Sequence, residues 1–272
     1  MFNIIIELFS YNFIIRAIIV GTLVSLCSAL LGVILVLKRY SMIGDGLAHV
    51  GFGTLSIAMA FNLAPLVVSV PLVIISAFIL LRISQNSKIK GDAAIALIST
   101  SALAIGVAST SLTTGLSIDV HNYMFGSILA MTKSDVYISI GLAVIVIILF
   151  IIFYNKIFSI TFDEQFSKAT GVKTDFYNIL IALLTALTIV IGMRIMGTML
   201  ISSLIIFPSL SSMRVFKTFK NVMISSAIIS IICFFIGLII SYILTIPVGA
   251  SIVIINLIIF IIFSILGKTI NS

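Results

Sequence analysis

The chain has 272 residues, 61% of them hydrophobic and 8% charged, with a mean hydropathy of +1.39. A soluble domain carries about 25% charged residues, so this chain lacks the polar surface to stay dispersed in water, and a soluble enzyme is excluded. The net charge of +7 is not by itself a sign of nucleic acid binding, because membrane proteins collect Lys and Arg in their cytoplasmic loops.

The expected fold is all-α, a single polytopic transmembrane domain spanning 1–272. A spanning helix needs about 20 mostly apolar residues. In chain order such runs fall at 17–37, 42–61, 64–81, 93–114, 136–155, 176–194, 196–212, 221–243 and 248–267, giving about 8–9 passes. The N-terminal MFNIIIELFSYNFIIR has no basic leader and no small-residue cleavage site after it, so the first helix is expected to remain. The division at Arg194 to Gly197 is the tightest, and one of the two flanking runs could be a partial helix. Cys27 and Cys233 sit in apolar runs and read as packing residues.

Placing the Lys38/Arg39 turn in the cytoplasm puts Arg82, Lys88, Lys90, Lys156, Lys168, Lys173, Arg214, Lys217, Lys220 and Lys268 on the same side, with Arg16, Lys133 and Arg194 outside the pattern. The N-terminus is then external and the C-terminus cytoplasmic. No basic patch is left over for nucleic acid. Two stretches exceed a simple turn: an external one at 117–135 and a cytoplasmic one at about 156–175, which carries Asp163, Glu164 and Asp175.

Charges inside the hydrocarbon are costly and point to function. Asp45 and His49, in SMIGDGLAHVGFGTLS, are four residues apart on the second helix and so share a face. That face is expected to continue through Ser41, Gly53 and Ser56 as a polar, small-residue stripe. At about 1.5 Å per residue, His49 lies roughly 12 Å in from Ser41, near half the depth of a ~30 Å core. A carboxylate and an imidazole at this spacing can reach one divalent cation, and a second copy of the chain could supply two more ligands through a symmetry axis. Equally, Asp45 could hydrogen-bond His49 or cap exposed amides near the helix start. His121, near Asp119, reads as a solvated loop histidine, and Asp92 and Asp135 read as acidic residues at helix starts. Pro208 and Pro247 are expected to mark kinks or breaks.

Several signatures are missing. Ile262 occupies the position where a phosphate-binding loop ending in Gly267, Lys268 and Thr269 would need glycine. There is no His-Glu-x-x-His motif, and no glycine pair four apart for close helix packing.

Over nearly its whole length the chain resembles the membrane permease subunit of bacterial ATP-binding-cassette (ABC) importers for zinc and manganese. LKRYSMIGDGLAHVGFGTLSIA looks like that family's second-helix signature. DVHNYMFGSILAMTKSDV resembles its external segment through Tyr123, Phe125 and Gly126. GTMLISSLIIFPSLSSMRV resembles a late signature containing Pro208, and LTIPVGASIVI resembles the start of the last helix through Pro247 and Gly249. The resemblance implies that Asp45 and His49 form an intramembrane metal site for a transported Zn2+ or Mn2+, with no resident cofactor. It implies that FDEQFSKATG docks on a separate ABC ATPase, two copies per transporter, through Phe162, Asp163, Glu164, Ala169 and Gly171. It also implies a homodimer in the bacterial cytoplasmic membrane that receives its ion from an extracellular metal-binding protein and is not itself an enzyme. His121 departs from the family pattern and could help receive metal at the external mouth. Imidazole nitrogen favours zinc over manganese. The alternative reading is an ATP-independent secondary metal transporter or channel.

Overall fold

The computed structural model describes residues 12–86, 91–111 and 133–271. Among them the regular structure is entirely helical: α1 (Asn12–Leu37), α2 (Ser41–Ala60), α3 (Pro65–Asn86), α4 (Gly91–Ser111), α5 (Lys133–Phe162), α6 (Glu164–Ala169), α7 (Thr174–Met196), α8 (Thr198–Val215), α9 (Phe219–Leu244) and α10 (Val248–Asn271). Nine are long and coincide with the nine expected runs. Seven of these, all but α2 and α3, are long and apolar enough to cross a membrane. α3 contributes a shorter apolar segment, Pro65–Leu80. α2 falls outside the seven because Asp45, His49 and its four glycines dilute its hydropathy.

The helix ends differ from expectation where the chain leaves the apolar zone. α5 runs to Phe162, not 155, and α3 runs to Asn86 through Arg82, so much of what reads as loop is helix. Arg16 lies within α1. The division at Gly197 separates two full helices. Gly197 has φ 83° and ψ 163°, a conformation essentially confined to glycine, so a single residue suffices to end α7 and begin α8. Pro208 lies inside α8, which continues past it, whereas Pro247 stands immediately before α10. The 117–132 stretch, with Asp119, His121, Tyr123, Phe125 and Gly126, lies outside the described residues.

α2 is the helix around which the bundle is packed. It touches α1, α3, α4, α7 and α8, and its glycines set how closely they approach. A Cβ on Gly53 would collide with the carbonyl oxygen of Ala102 on α4, and one on Gly46 would stand 2.6 Å from Ile95 Cγ2 on the same helix. On another side of α2, Gly44 faces Ile205 of α8, and Gly51 faces the Met193 side chain of α7. Gly46 and Gly53 are two helical turns apart and therefore share a face; the seven-residue spacing does for α2 and α4 what a four-residue pair does elsewhere.

α8 is the second centre, in contact with α1, α2, α7, α9 and α10. Gly32 of α1 lies directly against the Ile205 carbonyl of α8. Serine hydroxyls tie α9 to α1: Ser230 Oγ donates to the Ser25 carbonyl at 3.0 Å and Ser226 Oγ to that of Ala29 at 3.4 Å. Where lipid is as apolar as the side chains, close packing and such interhelical bonds hold helices together.

Gly53→Ala is expected to force α2 and α4 apart and cost about 1–3 kcal/mol, as for other overpacked contacts. The measurement is the thermal midpoint of the detergent-solubilised protein, with Gly141→Ala, where an added Cβ meets nothing within 4 Å, as the neutral comparison.

Candidate functional site

Asp45 and His49 occupy successive turns of α2, with His49 Nε2 3.6 Å from Asp45 Oδ2. At that separation they are not hydrogen-bonded to one another. Instead, the Asp45 carboxylate accepts a hydrogen bond from Ser202 Oγ of α8 at 3.0 Å. The N-cap residue of α2, Tyr40, makes no side-chain capping hydrogen bond. The His49 and Asp45 side chains remain 30% and 40% exposed on the surface of the protomer. The expected stripe divides: Ser41 shares their partial exposure, while Gly53 and Ser56 are buried, Gly53 against α4. The reason is the helical period, since each four-residue step drifts by about 40°. Among the described residues no third histidine, cysteine or carboxylate joins the pair. One protomer thus presents a carboxylate, an imidazole and a supporting hydroxyl, an incomplete shell for a divalent cation.

A second polar constellation lies at the end of the bundle where α1 stops. Between Phe162 and Gly171 the chain forms the short helix α6, Glu164–Ala169, with Asp163 before it and a turn at Thr170 and Gly171 after it. Asp163 caps α6 by accepting from the Phe166 amide at 2.8 Å. The helix ends where the Val172 amide bonds the Ser167 carbonyl at 3.0 Å and the Gly171 amide bonds that of Lys168 at 3.1 Å, the pair of bonds that requires a left-handed residue at Gly171, whose φ is 83°. Ser167 is fully buried and its Oγ lies 2.8 Å from Ser159 Oγ, fixing α6 to α5. Phe162 packs edge-on against Phe219 at the start of α9, 5.7 Å between centroids. Facing out from α6 are Gln165, Phe166, Lys168 and Ala169.

Glu164, at the start of α6, accepts from Lys38 Nζ at 3.1 Å and from Asn178 Nδ2 at 2.7 Å. Burial pulls the Lys38 ammonium below its ordinary value, and the charge of Glu164 opposes the pull. These contacts place the α1–α2 turn, α6 and the start of α7 at one end of the bundle. The Phe158–Phe219 contact and the approach of Gly267 to the Arg214 carbonyl bring the end of α5, the α8–α9 turn and the end of α10 to that same end. Lys38, Lys156, Lys168, Lys173, Arg214, Lys217, Lys220 and Lys268 are collected there.

Sequence reasoning missed Ser202, Lys38 and Asn178 as functional candidates. Lys38 counted only as a marker of sidedness, and Ser202 and Asn178 lie in apolar runs where no spacing links them to Asp45 or Glu164.

The sequence model of the ABC 3 transport family matches residues 10–267. The manganese import system permease protein ScaB of Streptococcus gordonii is 28% identical over 255 residues, 94% of this chain and 91% of its own. The high-affinity zinc uptake system membrane protein ZnuB of Haemophilus influenzae is 29% identical over 246 residues, 90% of this chain and 94% of its own. Among solved structures, PsaBC from Streptococcus pneumoniae in complex with Fab superimposes with a TM-score of 0.86 at 28% identity, covering 96% of this chain and 94% of that one.

Gly171→Ala is expected to destabilise the end of α6 by about 1–2 kcal/mol, the cost of a Cβ in the left-handed region. Hydrogen exchange of the amides at 170–172 reads it, as faster exchange confined to that turn.

Proposed function

The chain belongs to the ABC 3 transport family, and from that premise we propose that it is the permease subunit of an importer that moves a divalent transition metal, Zn2+ or Mn2+, across the bacterial cytoplasmic membrane, driven by a separate ATPase. The observation that carries this reading is the Asp45–His49 pair on α2, supported by Ser202 and left partly exposed. An ionisable pair on a helix within a membrane-spanning bundle does not face hydrocarbon at acceptable cost. Its open side therefore faces water or another protein surface, and a second copy of the chain related by a two-fold axis supplies the same ligands again. Two carboxylates and two imidazoles then replace part of the ion's hydration shell. The imidazoles favour zinc; the relatives are named for both metals, so the preference rests on ligand chemistry.

The exposed face of α6 is the proposed ATPase contact. Phe166 and Phe162 are 63% and 59% exposed, an expensive display in water unless covered, and Ala169 beside them leaves room for a groove to close over the helix. On this reading the basic end of the bundle, with the C-terminus, is cytoplasmic. The ion arrives from an extracellular metal-binding protein, and ATP-driven movement of the docked subunits shifts the bundle between outward and inward openings.

Two outcomes test the reading. Asp45→Ala and His49→Ala are each expected to abolish growth under zinc or manganese limitation, with the protein at normal levels; elemental analysis of cells lacking the permease under each limitation identifies the ion, and normal growth of both variants refutes the site. Phe166→Asp is expected to weaken co-purification of the ATPase at least tenfold, about 1.4 kcal/mol, as loss of an aromatic anchor does, while leaving the thermal midpoint of the permease unchanged.

A further inference from the structure

Lys38, Glu164 and Asn178 form a closed ring. Lys38 Nζ donates to Glu164 Oε2 at 3.1 Å and to Asn178 Oδ1 at 2.6 Å, and Asn178 Nδ2 donates to Glu164 Oε1 at 2.7 Å. Each member thus bonds both others. The Lys38 side chain is 7% exposed and Asn178 is buried. Removing a lysine from water to this extent offsets much of what its ion pair returns, so the ring is better explained by the geometry it imposes than by stability.

That geometry joins three elements. Glu164 is the first residue of α6, Asn178 lies in the second turn of α7, and Lys38 follows the last residue of α1. Lys38 is also rigidly continuous with α2. The turn between them is fixed by the Arg39 amide on the Val36 carbonyl at 3.1 Å, the Tyr40 amide on that of Leu35 at 2.7 Å and the Ile43 amide on that of Tyr40 at 3.0 Å, with Arg39 at φ 61°. Asp45 follows one turn into α2. α6 has a separate anchor to α5 through Ser159 and Ser167, so without the ring it would keep its fold and its exposed face but lose its polar tie to α1 and α2.

We propose that the Lys38–Glu164–Asn178 ring is the mechanical link between the docking helix and the metal site: displacement of α6 is passed through Glu164 to Lys38, and from Lys38 through the fixed turn to α2 and its Asp45–His49 pair. Lys38 and Asn178 are then positioning residues, touching neither ion nor ATPase, while Glu164, whose side chain is 39% exposed, joins the ring to the outer face of α6. This inference rests on the permease reading above.

The test uses the full complex with its ATPase in proteoliposomes, measuring ATP turnover and metal uptake together. Lys38→Met and Asn178→Leu are expected to keep ATPase co-purification and to turn over ATP at the wild-type rate. Uptake per ATP should fall by about tenfold, within the range seen when coupling elements are altered. Lys38→Arg, which keeps charge and donors, should recover most of it. Asn178→Ala carries the same measurement if the larger replacements do not accumulate in the membrane. Wild-type uptake per ATP in these variants overturns the link, as does loss of ATPase co-purification in a variant whose thermal midpoint is unchanged. Failure of the wild-type complex to take up metal with ATP overturns the permease reading itself, which separates the two outcomes.

Discussion

The constraint on which the structure depends is that hydrocarbon offers polar groups no partner. Each donor and acceptor in the spanning region must be satisfied by the protein, or face water or a second subunit. The hydroxyls of Thr22, Ser69, Thr185, Thr188, Ser209 and Ser212 meet it by bonding carbonyls of their own helices. Ser226 and Ser230 meet it across helices. Asp45 meets it only in part, through one hydroxyl; the buried hydroxyls of Ser25, Ser28 and Ser203 go without a partner among the described residues too, and what distinguishes α2 is that its partly paired group is a carboxylate beside an imidazole.

The same constraint explains why α2 lies among so many neighbours. A helix carrying a carboxylate and an imidazole cannot sit at the lipid boundary on all sides, and its mean hydropathy is too low for it to do so. Surrounding it requires close approach, which its glycines allow: α4 closes on Gly46 and Gly53, α8 on Gly44, and Met193 of α7 on Gly51. The glycines of α2 are thus contact surfaces. With α4, α7 and α8 taken up in this way, the Asp45–His49 side is left as the partly exposed flank of α2.

Much of the architecture was legible because hydropathy alone specifies membrane helices: all nine long helices lie where apolar runs predict them. Their ends were not legible, because α3 and α5 continue past the apolar zone, α5 through aromatic and polar residues such as Tyr154, Lys156 and Phe158, where composition no longer separates helix from loop. Of the site, Asp45 and His49 were visible from a four-residue spacing. Ser202 was not, since it meets Asp45 across 157 positions of sequence, and a serine in an apolar run has no periodicity that singles it out. Lys38 was misjudged for a different reason. The bias of lysines toward one end accounts for it so readily that nothing prompts the question of what else it touches.

The number of ligands in the α2 site bears on what it can do. A closed set of four protein ligands in one chain would hold zinc as a structural ion, and movement through a membrane requires a site that binds well enough to fill and weakly enough to empty. If Asp45 and His49 are the ligands proposed above, two from one protomer are too few to retain an ion. Shared between two protomers, as proposed, they would be enough only while both copies of α2 hold their relative positions. A site divided in this way can be opened by moving the helices without breaking either ligand's own support. Asp45 keeps Ser202, and the α2 turn keeps its hydrogen bonds to α1, while the distance between the two halves changes. On the proposed reading, release of the ion then becomes a question of helix position, which is the quantity an ATPase docked on α6, at the end of the bundle where α2 begins, can control.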